Sequence, residues 1–457
     1  MPEKKKSPAR LPALYREGEM ISPVEFSRRI RSRYPFIPCP PPPPPPPPQP
    51  ENSDGNFDEF DEWVRSKEMA VLSQDSAGPS TASSASPGFL SDPVVKGLLD
   101  CASVADLEPE SAKKLLHQLR GSVPPDGNSN ERLGYYFLEA LSSRILKKPA
   151  RVPLALDSCW EEFSISYRGF YQRCPYLEFG FLASNIAILE ASKNSARIHI
   201  IDFGMFHGLQ WEDLLPALAG RPAGKPENVR ITCIPSALMG KSAARILQGT
   251  KRHLHDFARV FKMNLEFECV EMPIEELNGS NLRVDPDYFL GINFRLELFN
   301  LLDDITSDVP AAFKLSKRLK PDVVTLGEYP NRVGSGPTRF KNTLHFYSSI
   351  LESLDRSLPT DAPGRLELER LMIRRRILVT VGFLEPPAQL EEKEPWMLLM
   401  KAAGFEALPV SDDTKVEARI LLSKKKYSQS YGLIDFPVGC LSLAWNGEAI
   451  FSVSSWH

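Results

Sequence analysis

The residues best placed to do chemistry lie in RIHIIDFGMFHGLQW, residues 197 to 211. Four strand-forming residues, Ile198, His199, Ile200 and Ile201, precede Asp202, a turn with Gly204 and Gly208, and the start of an amphipathic helix. An acid and glycines after a first strand let the backbone approach a bound nucleotide or the methionine part of S-adenosylmethionine. An acid ending the second strand would then hold the ribose hydroxyls. Asp202, Gly204 and Gly208 stand in the right places for such a pocket. Phe206, however, fills the middle of the turn where a small residue is needed, and Met205 and His207 crowd it. The next strand, VRITCI, runs into Pro235 and Ser236 instead of an acid. Two anchors are missing, so the pocket reads as vestigial and no cofactor is expected. Farther along, GEYPN adds Glu328 beside Tyr329 at the carboxyl edge of another strand, the ligand side of an open sheet.

No Ser/His/Asp or Cys/His set can be assembled from spacing, so no catalytic residue is assigned. The histidines show no HExxH pattern, and His253 and His255, two apart on a helix, point to different faces; no metal site is expected. A structural role for Asp202 is the simpler one: it can accept backbone amides at the strand-to-helix turn. Gln210 and Trp211 then open the helix, with Trp211 packed on the sheet.

The elements that must position these residues follow from composition and periodicity. The chain has 457 residues, 42% of them hydrophobic, enough for one large α/β domain or two ordinary ones. A net charge of −3 excludes a strong overall basic field, so nucleic-acid binding would need a local patch. No run of apolar residues is long enough for a membrane helix, and MPEKKKSPAR lacks the apolar core of a secretory signal. The seven cysteines are widely spaced and never form CxxC, which suits reduced thiols in a nucleus or cytosol.

Residues 1–91 are expected to form a disordered arm. Pro40 to Pro48 is an unbroken polyproline II run, and SQDSAGPSTASSASPG cannot bury enough apolar surface to offset ordering. Within the arm, Arg28, Arg29, Arg31 and Arg33 form a candidate nuclear import signal together with Lys4, Lys5 and Lys6. Phe57, Phe60, Trp63 and Val64 set an apolar face among acids, as in segments that fold onto partners. Folded sequence begins near Asp92. For about 100 residues apolar side chains recur at three and four positions, including Leu115, Leu119, Leu133 and Phe137, which predicts packed helices. Strands are then expected at 197–201, 229–234, 265–270, 322–326 and 377–383, with helices between. CLSLAW, Asn446-Gly447 and EAIFSVSSW make a terminal hairpin. The fold class is therefore α/β: a doubly wound, Rossmann-like, mostly parallel sheet with a terminal antiparallel hairpin, under an N-terminal helical cap. That combination resembles class I methyltransferases.

IHIID followed by GLQW is similar to the VHIID signature of the plant GRAS transcriptional regulators, and the rest of the chain keeps that family's order. On this resemblance 92–457 is a GRAS domain, with leucine repeat I at 94–150, the VHIID region at 165–235, leucine repeat II at 248–280, the PFYRE region at 290–383 and the SAW region at 384–457. Pro321 and Phe346-Tyr347 sit where PFYRE begins, and Trp396, Trp445 and Trp456 stand at the tryptophan positions of SAW. Two features depart from the family. DFGMFHG replaces a polar turn, and the Arg-Glu part of PFYRE, within GRLELERLMIRRRILVTV, is poorly kept. The arm lacks the DELLA and TVHYNP strings.

The resemblance implies a nuclear, non-enzymatic regulator of transcription that contacts other transcription factors or GRAS-type subunits as a homo- or heterodimer. In some members the core contacts DNA. Lys314, Lys317, Arg318, Lys320, Arg370, Arg374, Arg375 and Arg376 are then the candidate phosphate contacts, against the plainer reading of solvated helix faces. No membrane partner is implied. Two rivals stand beside this reading, an S-adenosylmethionine-dependent methyltransferase and a non-catalytic small-ligand sensor using the same cleft.

Overall fold

The computed structural model describes residues 93–147, 160–205, 207–236, 239–240, 243–298, 308–330, 336–382, 395–424, 427–437 and 439–457. The arm, with Arg28, Arg29, Arg31, Arg33 and the Phe57–Val64 island, lies outside them, as does Phe206.

The cap begins with helices α1 (Pro93–Val104), α2 (Pro109–Leu119) and α3 (Ser129–Ile145). Pro109 at the start of α2 supplies a preset φ where no backbone donor is needed. The loop GSVPPDGNSN ends in a reciprocal cap: the Asn128 side chain accepts from Glu131 N and the Glu131 carboxylate accepts from Asn128 N, which fixes the first turn of α3. The leucine stripe is core, with Leu119, Leu133 and Phe137 buried and Leu115 half-buried. Then come α4 (Trp160–Arg173) and α5 (Pro175–Ala191). Almost every side chain of α5 is buried, as suits a helix that is apolar all round and sealed between cap and sheet.

From residue 197 strands and helices alternate: β1 (Arg197–Met205), α6 (Leu209–Ala219), β2 (Asn228–Pro235), α7 (Ala243–Val260), β3 (Leu265–Cys269), β4 (Phe289–Arg295), α8 (Asp308–Arg318) and β5 (Val323–Glu328). After α9 (Gly336–Ser357), a helix runs from α10 (Arg365–Glu369) through a π turn (Arg370–Arg374) into α11 (Arg375–Gly382). The chain closes with α12 (Pro395–Ala402), β6 (Ala407–Leu408), α13 (Asp412–Lys424), β7 (Tyr431–Phe436), β8 (Cys440–Trp445) and β9 (Glu448–Trp456).

The sheet runs β3-β2-β1-β4-β5-β9-β8-β7, with β6 also on β9. Strands β1 to β5 are mutually parallel, and β9 joins β5 antiparallel. This is the doubly wound, methyltransferase-like α/β sheet. Asn446 (φ 48°) and Gly447 (φ 84°) take the left-handed conformations that a two-residue β8–β9 turn requires. One face of the sheet, with Ile198, Ile200 and Val229, packs under the cap; the other, with Ile201, Phe203, Ile292 and Phe294, packs on α8 and α12.

Two expectations are corrected. Residues 377–382 of ILVTVGF, expected to be a strand, belong to α11, and Phe383 lies outside the described residues. The β-branched residues of α11 favour a strand only weakly, and burial on all sides erases the period that would separate the two readings. The place beside β5 is taken instead by β9. Conversely, β4 was not anticipated: Gly291 and Asn293 interrupt FLGINFR, yet all seven residues are buried.

Candidate functional site

The strand order reverses between β1 and β4, with β2 and β3 on one side and β5 on the other. Ligands of open α/β sheets bind in the crevice beyond such a reversal. Here the register aligns Cys269, Cys233, Asp202, Asn293 and Thr325 in one row across five strands. The row is closed by hydrogen bonds. Asp202 accepts from Trp211 Nε1 at 2.9 Å and from Asn293 Nδ2 at 2.7 Å. The hydroxyl of Thr325 donates to Asn293 Oδ1 at 2.8 Å. Gln210 Nε2 donates to Asn185 Oδ1 at 3.1 Å, and Asn185 Nδ2 returns a bond to the Gln210 carbonyl at 3.0 Å. Asn293 Nδ2 also reaches Gln210 Oε1 at 3.3 Å. Asn185, Asp202, Gln210, Trp211, Asn293 and Thr325 are all buried.

Among the described residues, Asp202 thus holds side-chain donors from α6 and β4 and not the backbone amides expected of it. Burial raises the pKa of its carboxyl, against the charge of Arg295 and the bonds from Asn293 and Trp211. Gly204, at φ 83°, sits where a cofactor would approach. The space its side chain would take belongs to Glu297, whose carboxylate oxygen would lie 2.6 Å from an added Cβ. Gly208 opens α6 and faces Thr250 and Leu254.

Of the VHIID residues, Ile198 and Ile200 fill the cap-side core and Ile201 the opposite one. His199 is fully buried, its Nε2 2.8 Å from Thr232 Oγ1. Burial and the nearby charge of Arg230 push its pKa from 6.5 down to about 4. The native state therefore prefers neutral imidazole: this contribution is complete above pH 6.5 and is lost as pH falls towards 4. At about 1.4 kcal/mol per pH unit it is worth roughly 3 kcal/mol. Urea midpoints of wild type and His199→Gln should converge over that interval as the pH is lowered, and parallel curves would contradict the assignment.

Glu328 belongs to a different set. It forms a buried ion pair with Arg376 at 3.0 Å, and the Arg376 guanidinium lies over the Tyr329 ring at 4.6 Å. A third set lies between cap and sheet domain. Fully buried Glu369 accepts from Arg132 Nε (2.9 Å) and Nη2 (2.8 Å), from the Tyr136 hydroxyl (2.9 Å) and from Arg365 Nη1 (2.6 Å). Arg365 continues to Asp355 at 2.9 Å.

The basic residues divide. Lys314, Lys317 and Arg318 on α8 are exposed and line an open cleft of about 510 Å³ with Ile274, Ala311, Ala403 and one acid, Glu275. Lys320 follows, also exposed. Lys317 Nζ lies 4.6 Å from the Phe405 ring centre. The second cluster does not stay available for phosphate. Arg374 is paired in a fork with Glu139 at 2.8 and 2.6 Å, and Arg375 and Arg376 are buried, because this stretch is a helix packed on α3 and not a surface loop. Arg370 is exposed and pairs loosely with Glu367 at 3.4 Å.

Asn185, Asn293, Thr325, Glu297 and Glu369 were not picked out from the sequence. A lone amide within an otherwise apolar run, as in GINF and ASNIAIL, was the available signal, since a buried polar group needs partners.

The comparisons with known proteins follow this architecture. The GRAS domain family model matches residues 94–457. SCARECROW-LIKE protein 7 of Oryza sativa subsp. japonica is 38% identical over 376 residues, 80% of this chain and 65% of that protein, so the chain spans about two thirds of its length. Scarecrow-like transcription factor PAT1 of Arabidopsis thaliana is 31% identical over 372 residues, covering 79% of this chain and 75% of that protein. The crystal structure of SCL7 in Oryza sativa superposes with a TM-score of 0.71 at 38% identity, over 80% of this chain and 100% of that one. The chain belongs to the GRAS domain family.

Proposed function

We propose that this chain is a nuclear regulator of transcription that works through its surfaces and not through a cofactor. Membership of the GRAS family and similarity to a relative named as a transcription factor support a regulatory role. The observation that carries the non-enzymatic part is the filled reversal point: Asp202, Asn185, Gln210, Asn293 and Thr325 bond to one another, and Glu297 occupies the space beside Gly204. A ligand there would have to displace buried, satisfied polar groups, each worth about 1–3 kcal/mol when left unpaired. Its partners are other transcription factors or a like subunit, and Arg28, Arg29, Arg31 and Arg33 are its import signal. Isothermal titration of the full chain with S-adenosylmethionine should show no heat of binding. Saturable binding abolished by Asp202→Ala would establish the methyltransferase rival, and a ligand-dependent rise in melting temperature without turnover the sensor.

The open cleft favours direct DNA contact as a second part of the same reading. Lys314, Lys317 and Arg318 present three exposed cations on one helix face beside Lys320. If they contact phosphates, log K against log salt for random duplex DNA should have a steep negative slope. The triple alanine variant should make it shallower by about 3, at roughly 0.9 per phosphate contact. An unchanged slope places the cations outside the interface and leaves a coregulator without DNA contact.

A further inference from the structure

The row that carries Asp202 ends at the sheet edge in two thiols. Cys233 on β2 and Cys269 on β3 are direct ladder partners. They continue the face on which Val229 meets Leu265 and Ile231 meets Phe267, so both side chains project to the same side of the sheet. Strands pair at about 4.8 Å, inside the Cα separation of about 4.4–6.8 Å that a disulfide accepts. The Cys269 thiol also lies 4.0 Å from Glu271 Oε1, to which it can donate. Their surroundings differ: Cys233 is fully buried, whereas Cys269, the last residue of the edge strand, is exposed. Among the described residues Cys269 is the exposed cysteine, and Cys101, Cys174 and Cys440 are buried.

We propose that Cys233 and Cys269 form a peroxide-responsive dithiol, with Cys269 as the attacking thiol and Cys233 as the resolving one. In the first step the Cys269 thiolate attacks hydrogen peroxide. The O–O bond breaks, Cys269 becomes a sulfenic acid and hydroxide leaves. In the second step the Cys233 sulfur attacks the Cys269 sulfur. The S–S bond forms, the S–O bond breaks, and the Cys233 proton and the hydroxyl leave as water. Two thiols are oxidised and one peroxide is reduced. The asymmetry suits these roles. The neighbouring Cys233 thiol lowers the Cys269 pKa, against burial and the Glu271 charge, whereas burial holds the Cys233 proton on until a sulfenic acid is within reach. Since Cys233 is also the ladder partner of Asp202, the bond would close directly beside the polar network of the reversal point.

The test uses the reduced full chain, treated with hydrogen peroxide, blocked with N-ethylmaleimide and digested without reductant. A peptide joining Cys233 to Cys269 is expected, lighter than its two parts by two hydrogens and released by dithiothreitol. Two of the seven thiols should be lost on the same time course. Cys269→Ser, a surface change, should slow thiol loss by about tenfold or more. In Cys233→Ser, dimedone should trap Cys269 as a sulfenic acid, which needs no disulfide to form and so reports on the first step separately. A dominant cross-link through any other cysteine, or thiol loss in Cys269→Ser at the wild-type rate, overturns the proposal.

Discussion

Replacing Glu369 by alanine should destabilise the protein by about 3–5 kcal/mol, the cost of leaving buried charge without its partner. The carboxylate has no exposure, and the Arg132 and Arg365 side chains that flank it are 4% and 0% exposed. Its removal also strips the Tyr136 hydroxyl of its acceptor. Burial alone would raise the Glu369 pKa. The hydrogen bond from Arg132 and the charges of Arg365 and Arg132 outweigh it, and the net direction is downward. The ionised form is therefore the native one. Its contribution is present above the ordinary carboxylate range and is lost as pH falls through the lowered value, so acid should erase the difference between variant and wild type. Because Arg132 lies on α3 and Arg365 on α10, the variant should also loosen the cap before the sheet, visible as faster amide exchange in α3 than in β1. A loss below 1 kcal/mol at neutral pH would show that the cluster does not hold the cap.

Arg376→Ala should cost a similar amount, about 3–5 kcal/mol, by stranding Glu328 in the core. The two side chains are 6% and 2% exposed, and the guanidinium also covers the Tyr329 ring. A joint change to Arg376→Met and Glu328→Gln, which removes both charges and keeps most of the volume, should recover much of the loss, since no buried charge is then left without its partner. This distinguishes a structural arginine from a nucleic-acid contact. A folded Arg376→Met, Glu328→Gln protein should keep the wild-type salt slope on DNA, in contrast to the alanine variants of Lys314, Lys317 and Arg318. A slope reduced by about 1 in the double variant would return Arg376 to the interface. Urea denaturation and DNA titration of the same preparations supply both readings.

The sheet was legible where hydrophobic pattern and punctuation agreed. IHIID, VRITCI and LEFEC have β-rich runs with clear ends, and Asn446-Gly447 announces its hairpin. Legibility failed where burial is complete on every side. ILVTVG and FLGINFR are both wholly buried, one a helix and one a strand, and neither shows the alternation with polar residues that would tell them apart. The candidate pocket was half legible. Its acid and glycines were visible, but the amides and hydroxyl that surround Asp202 were not. That Asn293 and Asn185 would meet Asp202 and Gln210 depends on the strand order, which brings residues from three distant segments together. The basic residues show the same limit from the opposite side. A run of arginines in sequence looks like a surface patch, and only the packing of α11 against α3 reveals that Arg376 faces inward. Arg365 and Glu369, four apart on one helix, likewise form a buried pair that draws no attention in the sequence.

The place of β9 has a consequence for how the chain is made. It lies between β5 and β8, yet it follows every other strand in chain order. Glu328 must wait for Ser452, and Val324 for Trp456. During synthesis the parallel half of the sheet can assemble from β1 to β5, but β5 then presents an unpaired edge whose side chains are all destined for burial. Closing it requires a pairing across a long stretch of chain, a slow event by the entropy of loop closure. Nascent chains should therefore linger in an open form that recruits chaperones, and shortening the protein by even the last strand should convert that passing state into a permanent, aggregating one.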